Sequence, residues 1–173
     1  ESQGQRVKVV MPVDLLGKIV EHERIDAIAE QHGAVVLSDA AESLGARRNG
    51  IPAAAFGIAA AVSFNGNKVM TTSGGGALLT DDESIATHVR YLATQARQPV
   101  VHYEHHHIGH NYRMSNVLAA LGRAQLSRLD EMIESRRQHR LSYAALFADI
   151  PGVTVFGEPS ESGDGAIRDN FWL

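Results

Sequence analysis

The sequence predicts an α/β fold with three layers, in which helices cover both faces of a mostly parallel β-sheet. Apolar segments of strand length alternate with segments of helical spacing along the chain. The strand segments are almost continuously apolar, which is typical of strands buried on both faces of a sheet. With 173 residues, of which 44% are hydrophobic, the chain is long enough to form one domain around such a core.

The strands are predicted from short apolar runs rich in β-branched residues. Four such runs lie at residues 7–13, 34–39, 59–64 and 76–80. A fifth strand, outside the main sheet, is predicted at residues 154–159.

The helices are predicted from apolar residues at helical spacing. They cover residues 21–33, which end at the natural stop Gly33, and residues 81–97, which open on acids and close on arginine. A long helical pattern follows from Ser115 to about Asp149, with a break near residues 129–131. Two segments without periodicity are predicted to be irregular, at residues 41–57 and 99–112.

Composition excludes several classes of partner. The formal net charge is −4, so no basic excess attracts nucleic acid or an anionic membrane surface. No apolar run approaches the roughly 20 residues that span a membrane, and residues 1–10 lack the apolar core of a signal peptide. The absence of cysteine excludes disulfides and thiol chemistry and favours a cytoplasmic protein. The final run "DNFWL" is apolar and aromatic, and suggests that the sequence is a fragment of a longer chain.

A single lysine lies in the polar turn "SFNGNK" after the third predicted strand. Ser63 offers a hydroxyl at the end of that strand, Lys68 follows it, and Asp39 ends the preceding strand. Ligands bind at the carboxyl ends of parallel strands, so these groups can face one pocket. Pyridoxal phosphate (PLP) needs such a set: an amine for its aldehyde, a carboxylate for its pyridine nitrogen and donors for its phosphate. The alternatives are a solvated surface lysine and an aspartate that caps a turn.

Four motifs, in this order, resemble a known family. They are "SDAAESLGA", "SFNGNKVMTTSGGGALLT", "ATQARQPVVHYEHHHIGHNYRMSN" and "AALGRAQLSRLDEMIESRR". The sequence resembles the DegT/DnrJ/EryC1/StrS sugar aminotransferases from about Val10 to Leu173, and is most similar to the bacillosamine-type branch that makes 4-amino-4,6-dideoxy sugar nucleotides. The resemblance implies the large domain of fold type I, the aspartate-aminotransferase fold, in incomplete form, with PLP as cofactor.

The resemblance also implies roles for five residues of the first two motifs. Lys68 would bond to the cofactor aldehyde and transfer the proton in catalysis. Asp39 would pair with the pyridine nitrogen, Ala41 would lie against the ring, and Ser63 would bind the phosphate. Glu42 stands where the family often has Gln, either near the ring hydroxyl or over the ring as a neutral acid.

The third motif implies a homodimer. The loop at residues 99–116 would reach the partner's site, where Asn111 would contact the cofactor phosphate. Arg113 would serve either the loop or an anionic ligand. His110 replaces the usual Tyr and Gln98 the usual acid, which leaves their roles open.

The same motif contains five histidines within nine residues, and the spacing fits no settled zinc pattern, so no metal is predicted.

The resemblance implies two domains and a reaction. Residues 1–148 would be a partial PLP-binding domain including the long connecting helix, and residues 149–173 the beginning of a small C-terminal domain whose strand starts at "DNFWL". The enzyme would transfer an amino group, from glutamate, to a nucleotide-linked 4-keto-6-deoxy sugar. The alternatives are a truncated, non-catalytic fragment or binding module, and a sugar dehydrase, against which Lys68 argues because that class has His there.

Overall fold

The computed structural model describes residue 4, residues 6–156 and residues 166–172. In this part of the chain the strands are β1 (Val9–Val10), β2 (Val35–Asp39), β3 (Arg47–Arg48), β4 (Ile51–Pro52), β5 (Ala59–Ser63), β6 (Gly76–Leu79) and β7 (Ile167–Arg168). The α-helices are α1 (His22–Gln31), α2 (Glu83–Ala93), α3 (Asn116–Leu126) and α4 (Leu129–Phe147). Short 3₁₀ turns lie at Leu15–Gly17 and Ala53–Ala55.

The main sheet has the order β1-β2-β5-β6. β1, β2 and β5 are parallel, whereas β6 is antiparallel to β5. Parallel neighbours need a crossover connection, which α1 provides between β1 and β2, while an antiparallel pair can be joined by a loop. The loop at residues 64–75 makes that connection and carries the lysine turn. The prediction of a mostly parallel sheet is confirmed.

A second, smaller sheet has the order β4-β3-β7. Asn49 and Gly50 both have positive φ, 49° and 78°, which gives the hairpin between β3 and β4 the backbone twist it requires. The prediction that residues 41–57 are irregular is therefore wrong at β3 and β4. β7 adds to β3 from a distant part of the chain. Residues 169–172 of the "DNFWL" run follow β7 and are not in a strand, and Phe171 has a positive φ of 54°. Whether they begin a small-domain strand stays a prediction.

The long helical pattern forms two helices, α3 and α4, which are separated by Ser127 and Arg128. The break lies one or two residues before the predicted position. Ser115 caps α3, because its hydroxyl accepts a hydrogen bond from the Leu118 N–H (3.3 Å). The strand predicted at residues 154–159 is wrong for residues 154–156, which are irregular, and residues 157–159 lie outside the described residues.

The core consists of two apolar clusters. The first fills the space beneath the sheet and the 41–57 segment, with Ile19, Ala40, Ala46, Ala53, Phe56 and Val62. The second joins the lysine turn to α4 and the end of the chain, with Val69, Ile133, Phe171 and Trp172. This second cluster brings the C-terminal aromatic residues to the neighbourhood of Lys68. Among the residues that the structure describes, no helix is both long and apolar enough to cross a membrane.

Candidate active site

The lysine turn is fixed by backbone hydrogen bonds between the ends of β5 and β6. The Lys68 N–H donates to the Asn65 carbonyl (3.1 Å), and the Thr72 N–H donates to the Phe64 carbonyl (3.0 Å). Val69 and Met70, which follow the lysine, are 6% and 2% exposed. The buried residues after the turn anchor it, so Lys68 has a defined place at the carboxyl end of β5.

The ε-ammonium of Lys68 lies close to a carboxylate and to an aromatic ring. Its Nζ is 3.5 Å from Oε1 of Glu42 and 4.4 Å from the centroid of the Trp172 ring. The Lys68 side chain is only 13% exposed, and that of Glu42 is 18% exposed. The amine is thus held in a largely covered position and does not extend into bulk water.

Glu42 is itself held by the backbone of the Leu15–Gly17 turn. Its Oε2 accepts a hydrogen bond from the Leu16 N–H (2.8 Å), while Oε1 faces Lys68. Leu16 has a positive φ of 58°, a backbone conformation that residues other than glycine rarely adopt. This turn aims the Leu16 N–H at Glu42 and leaves the second carboxylate oxygen for the lysine.

Asp39 and Ala41 form a turn at the end of β2. Oδ1 of Asp39 accepts a hydrogen bond from the Ala41 N–H (3.1 Å), so the carboxylate does cap a turn. Oδ2 of Asp39 has no hydrogen-bond donor among the described residues, and remains available to a ligand. The Ala40 N–H donates to the Ala61 carbonyl of β5 (2.9 Å), which ties this turn to the neighbouring strand.

Ser63 is the last residue of β5, two positions beyond Ala61, which pairs with Asp39. Asp39 and Ser63 therefore lie at the carboxyl ends of neighbouring parallel strands, where ligands bind in open α/β sheets. The Ser63 hydroxyl accepts a hydrogen bond from the Asn65 N–H (3.3 Å) and can still donate one.

Asn111 lies apart from this group. It is exposed and forms an isolated bridge with Thr94 at the end of α2, where the Arg113 guanidinium also donates to the Thr94 hydroxyl (3.4 Å). The rings of His110 and Tyr112 stack at 4.8 Å. Within the described part of this single chain, no hydrogen bond joins Asn111 to Lys68. The role of Asn111 in a partner's site stays a prediction.

The histidine-rich loop is organised by hydrogen bonds. His102 and His106 both contact the carboxylate of Glu104, at 2.8 and 2.6 Å, and these contacts lower the pKa of Glu104 below its usual value. Gln98, at the position where the resemblance suggests an acid, donates to the Tyr91 hydroxyl (2.8 Å). Over the described ranges, no group of three His, Asp or Glu side chains is arranged to hold a metal ion.

Sequence reasoning missed the two residues that complete the surroundings of Lys68. Asn170 is fully buried, and Trp172 is 7% exposed with its ring against the lysine. The signal was present in "DNFWL", where an apolar run includes the only tryptophan of the 173 residues. Such a run indicates buried packing. Its partner could not be predicted, because Trp172 contacts Asn67 of the lysine turn, which lies 105 residues earlier in the sequence.

The sequence matches the DegT/DnrJ/EryC1/StrS aminotransferase family over residues 4–171. The chain belongs to this family. Its members depend in general on PLP.

Relatives and solved structures agree with the family. EpsN of Bacillus subtilis (strain 168), provisionally named as a pyridoxal phosphate-dependent aminotransferase, is 44% identical over 158 residues, 91% of this chain and 41% of EpsN. GDP-perosamine synthase of Caulobacter vibrioides is 41% identical over 77% of this chain and 36% of the synthase. A DegT DnrJ EryC1 StrS aminotransferase from Brucella abortus superimposes with a TM-score of 0.82 at 31% identity, over 95% of this chain and 42% of that one. The chain spans about two fifths of these relatives' length.

The structural similarity confirms the predicted fold, an incomplete large domain of fold type I. The residues of this family member also fit its cofactor. Lys68 offers a largely covered amine, Asp39 has a free carboxylate oxygen, and Ser63 has a hydroxyl hydrogen to donate. A side chain built at Gly66 would meet no atom within 4 Å, so open space adjoins the backbone of the lysine turn. A phosphate can approach such exposed N–H groups.

Proposed function

We propose that the chain belongs to a PLP-dependent transaminase. In this proposal an amino group passes from glutamate to the keto group at carbon 4 of a nucleotide-linked 6-deoxy sugar, and the donor leaves as its 2-oxo acid. The observation that carries the proposal is the position of Lys68. Its amine is largely covered, lies beside Glu42 and belongs to the turn that follows β5, the strand next to that of Asp39. A surface lysine in a solvated turn would show none of these features.

Each residue has a distinct task in this proposal. Bound PLP supplies an electron sink and stores the amino group between the two half-reactions. Lys68 holds the cofactor through Nζ and, once released, moves a proton on and off the reacting carbon. Oδ2 of Asp39 accepts the hydrogen bond of the protonated ring nitrogen, and Ser63 donates to the phosphate. Ala41 packs against the ring, and its N–H holds Asp39 in place.

The substrate class follows from the names of relatives. One relative is the UDP-4-amino-4,6-dideoxy-N-acetyl-beta-L-altrosamine transaminase of Helicobacter pylori, 30% identical over 87% of this chain. Another is a dTDP-3-amino-3,4,6-trideoxy-alpha-D-glucose transaminase of Micromonospora megalomicea, 35% identical over 84%. Both names specify nucleotide-linked amino sugars, and they differ in the position of the amino group. We favour position 4 because the motifs resemble the branch that aminates carbon 4.

The proposed enzyme is a homodimer in the cytoplasm. The loop at residues 99–116 would place Asn111 at the phosphate of the partner's cofactor, which agrees with the exposure of Asn111. Residues 1–148 would belong to the large domain, and residues 149–173 to the start of the small one.

The first test is spectroscopic and uses the full-length protein. Its mass is measured, PLP is added, and the visible spectrum is compared with that of free PLP; a band specific to bound cofactor is expected. Lys68→Ala should abolish the band and turnover, while Lys8→Ala, at an exposed lysine, should change neither. A protein of only 173 residues that gives no band would instead indicate a non-catalytic fragment. Retained turnover in Lys68→Ala would refute the role of Lys68.

The second test concerns the substrate. Candidate 4-keto sugar nucleotides are incubated with glutamate and the full-length protein, and amino sugar and 2-oxo acid are quantified. Equal amounts of both products are expected. A 3-keto sugar accepted in preference to every 4-keto sugar would overturn the assignment of position 4 and leave the transaminase intact.

A further inference from the structure

The only tryptophan of the sequence lies against the amine on which the proposed function depends. The centroid of the Trp172 ring is 4.4 Å from Nζ of Lys68, and Oε1 of Glu42 is 3.5 Å from the same nitrogen. We propose that Trp172 is a positioning residue for Lys68: its ring and the Glu42 carboxylate together hold the ε-ammonium whenever the amine is not bonded to the cofactor. The role of Trp172 in catalysis rests on the proposed function, whereas its contact with Lys68 is a feature of the structure.

One hydrogen bond holds the indole of Trp172, and two more hold its backbone. Its Nε1–H donates to the carbonyl of Asn67, the residue before the lysine. The Trp172 N–H donates to Oδ1 of Asn170 (3.0 Å), and the Trp172 carbonyl accepts from the Arg136 guanidinium (2.9 Å). A ring held in this way offers its face to the lysine in a defined orientation, which a loosely packed side chain would not do.

One buried amide fixes both partners of the ammonium. Asn170 donates through Nδ2 to the Glu42 carbonyl (2.6 Å) and the Leu44 carbonyl (3.0 Å), while its Oδ1 holds Trp172. Asn170 therefore links the backbone of Glu42 to the backbone of Trp172. We call this arrangement a clamp, since two groups that attract a cation, a carboxylate and a ring face, both lie close to Nζ of Lys68.

The clamp matters at a particular stage of the proposed reaction. In the proposed reaction Lys68 would hold the cofactor at rest, and its amine would be free while it serves as the proton carrier. A lysine side chain has four flexible carbons and would otherwise sample many conformers. Attraction to the ring face and to Glu42 keeps Nζ in one place, from which it can reattach.

Competitive labelling of lysines tests the clamp directly. The 173 residues contain only Lys8, Lys18 and Lys68. Lys8 is exposed and serves as the reference, whereas Lys18 is paired with Asp169 and reports whether the C-terminal segment stays in place. Full-length protein freed of cofactor is treated with trace isotopic acetic anhydride. The label at each lysine is then measured by peptide mass spectrometry.

Two variants of similar size separate the ring face from simple packing. Trp172→Leu keeps an apolar side chain and removes the ring, while Trp172→Phe keeps a ring face and removes the Nε1–H. We expect the Lys68:Lys8 labelling ratio to rise about ten-fold in the Leu variant and to stay within about three-fold of the parent in the Phe variant. The Lys18:Lys8 ratio should not change in either.

Two results would overturn the proposal. The first is a Lys68:Lys8 ratio that is the same in the Leu and Phe variants, which would show that the ring face does not hold the amine. The second is a parallel rise of the Lys18:Lys8 ratio, which would show that Trp172 only keeps the C-terminal segment seated. Since the measurement uses no cofactor, its outcome is independent of whether the parent protein binds PLP or transaminates.

Discussion

Replacing Asn170 with alanine tests how much stability the buried amide contributes. In the parent, the side chain satisfies the Glu42 carbonyl, the Leu44 carbonyl and the Trp172 N–H, and Asn170 is fully buried. Asn170→Ala leaves these three backbone groups without the amide. At about 1 kcal/mol for each lost hydrogen bond, the free energy of unfolding should fall by about 3 kcal/mol.

Urea unfolding followed by circular dichroism measures this loss. With a slope of about 2 kcal/mol per molar urea, the midpoint should fall by about 1.5 M. Asn116→Ala, at an exposed asparagine in the first turn of α3, is the matched control and should change stability by less than about 0.5 kcal/mol. A loss below about 1 kcal/mol in Asn170→Ala would refute the reasoning, because it would mean that water replaces the amide without cost.

A second substitution turns this prediction into a double-mutant cycle. Gly17 has a φ of 75°, and a Cβ built on it would overlap Oδ1 of Asn170. Gly17→Ala should therefore cost the left-handed backbone, about 1–2 kcal/mol, and a steric clash in addition. Removing the Asn170 side chain relieves that clash, so the double variant should be more stable than the two single losses predict. Additivity within about 0.5 kcal/mol would contradict the close approach.

Two further predictions concern single elements. Gly57→Ala should destabilise the fold by more than about 2 kcal/mol, because its φ is 71° and the new Cβ would lie 2.5 Å from the Val36 carbonyl oxygen. The control Gly50→Ala, with a φ of 78° and open space around the new Cβ, should cost only the backbone strain. Equal chemical-denaturation midpoints for the two variants would contradict this prediction. Asp82 caps α2, and hydrogen bonds led by the Ser84 hydroxyl lower its pKa below the usual 3.8. The cap thus stabilises the fold above that pH and is lost as the pH falls through the lowered pKa, so the drop in melting temperature of Asp82→Ala should be present at pH 7 and disappear in strong acid. A drop that is the same at every pH would exclude the carboxylate as its cause.

The sequence contained enough information for the elements of the main sheet and for the lysine turn. Apolar runs identify β2, β5 and β6 within one or two residues, and the polar turn after β5 identifies Lys68. These features are local, since burial on both faces requires a continuous apolar run wherever a central strand occurs. Ser63 and Asp39 follow from the same patterns, because each ends a strand that the pattern already places.

The missed features depend on contacts between distant parts of the chain. β3 and β4 are two residues long, too short to have a periodic pattern. β3 also pairs with β7, more than a hundred residues later. The role of Glu42 also escaped prediction, because its position depends on Leu16 and Lys68 together. A single sequence gives no measure of which distant polar groups meet. A family resemblance predicts such a residue only where the residue belongs to one of the matching motifs.

The residues that surround Lys68 are far apart in the sequence, which determines when during folding they can come together. The hydrogen bonds from Trp172 to Asn67 and from Asn170 to Glu42 join residues 105 and 128 positions apart. During synthesis, the sheet strands emerge well before residues 169–172, so the lysine turn first exists without its cover. Closing such distant contacts is slow compared with local folding. The reactive amine therefore stays open to small aldehydes in the nascent chain until residues 169–172 have joined the fold.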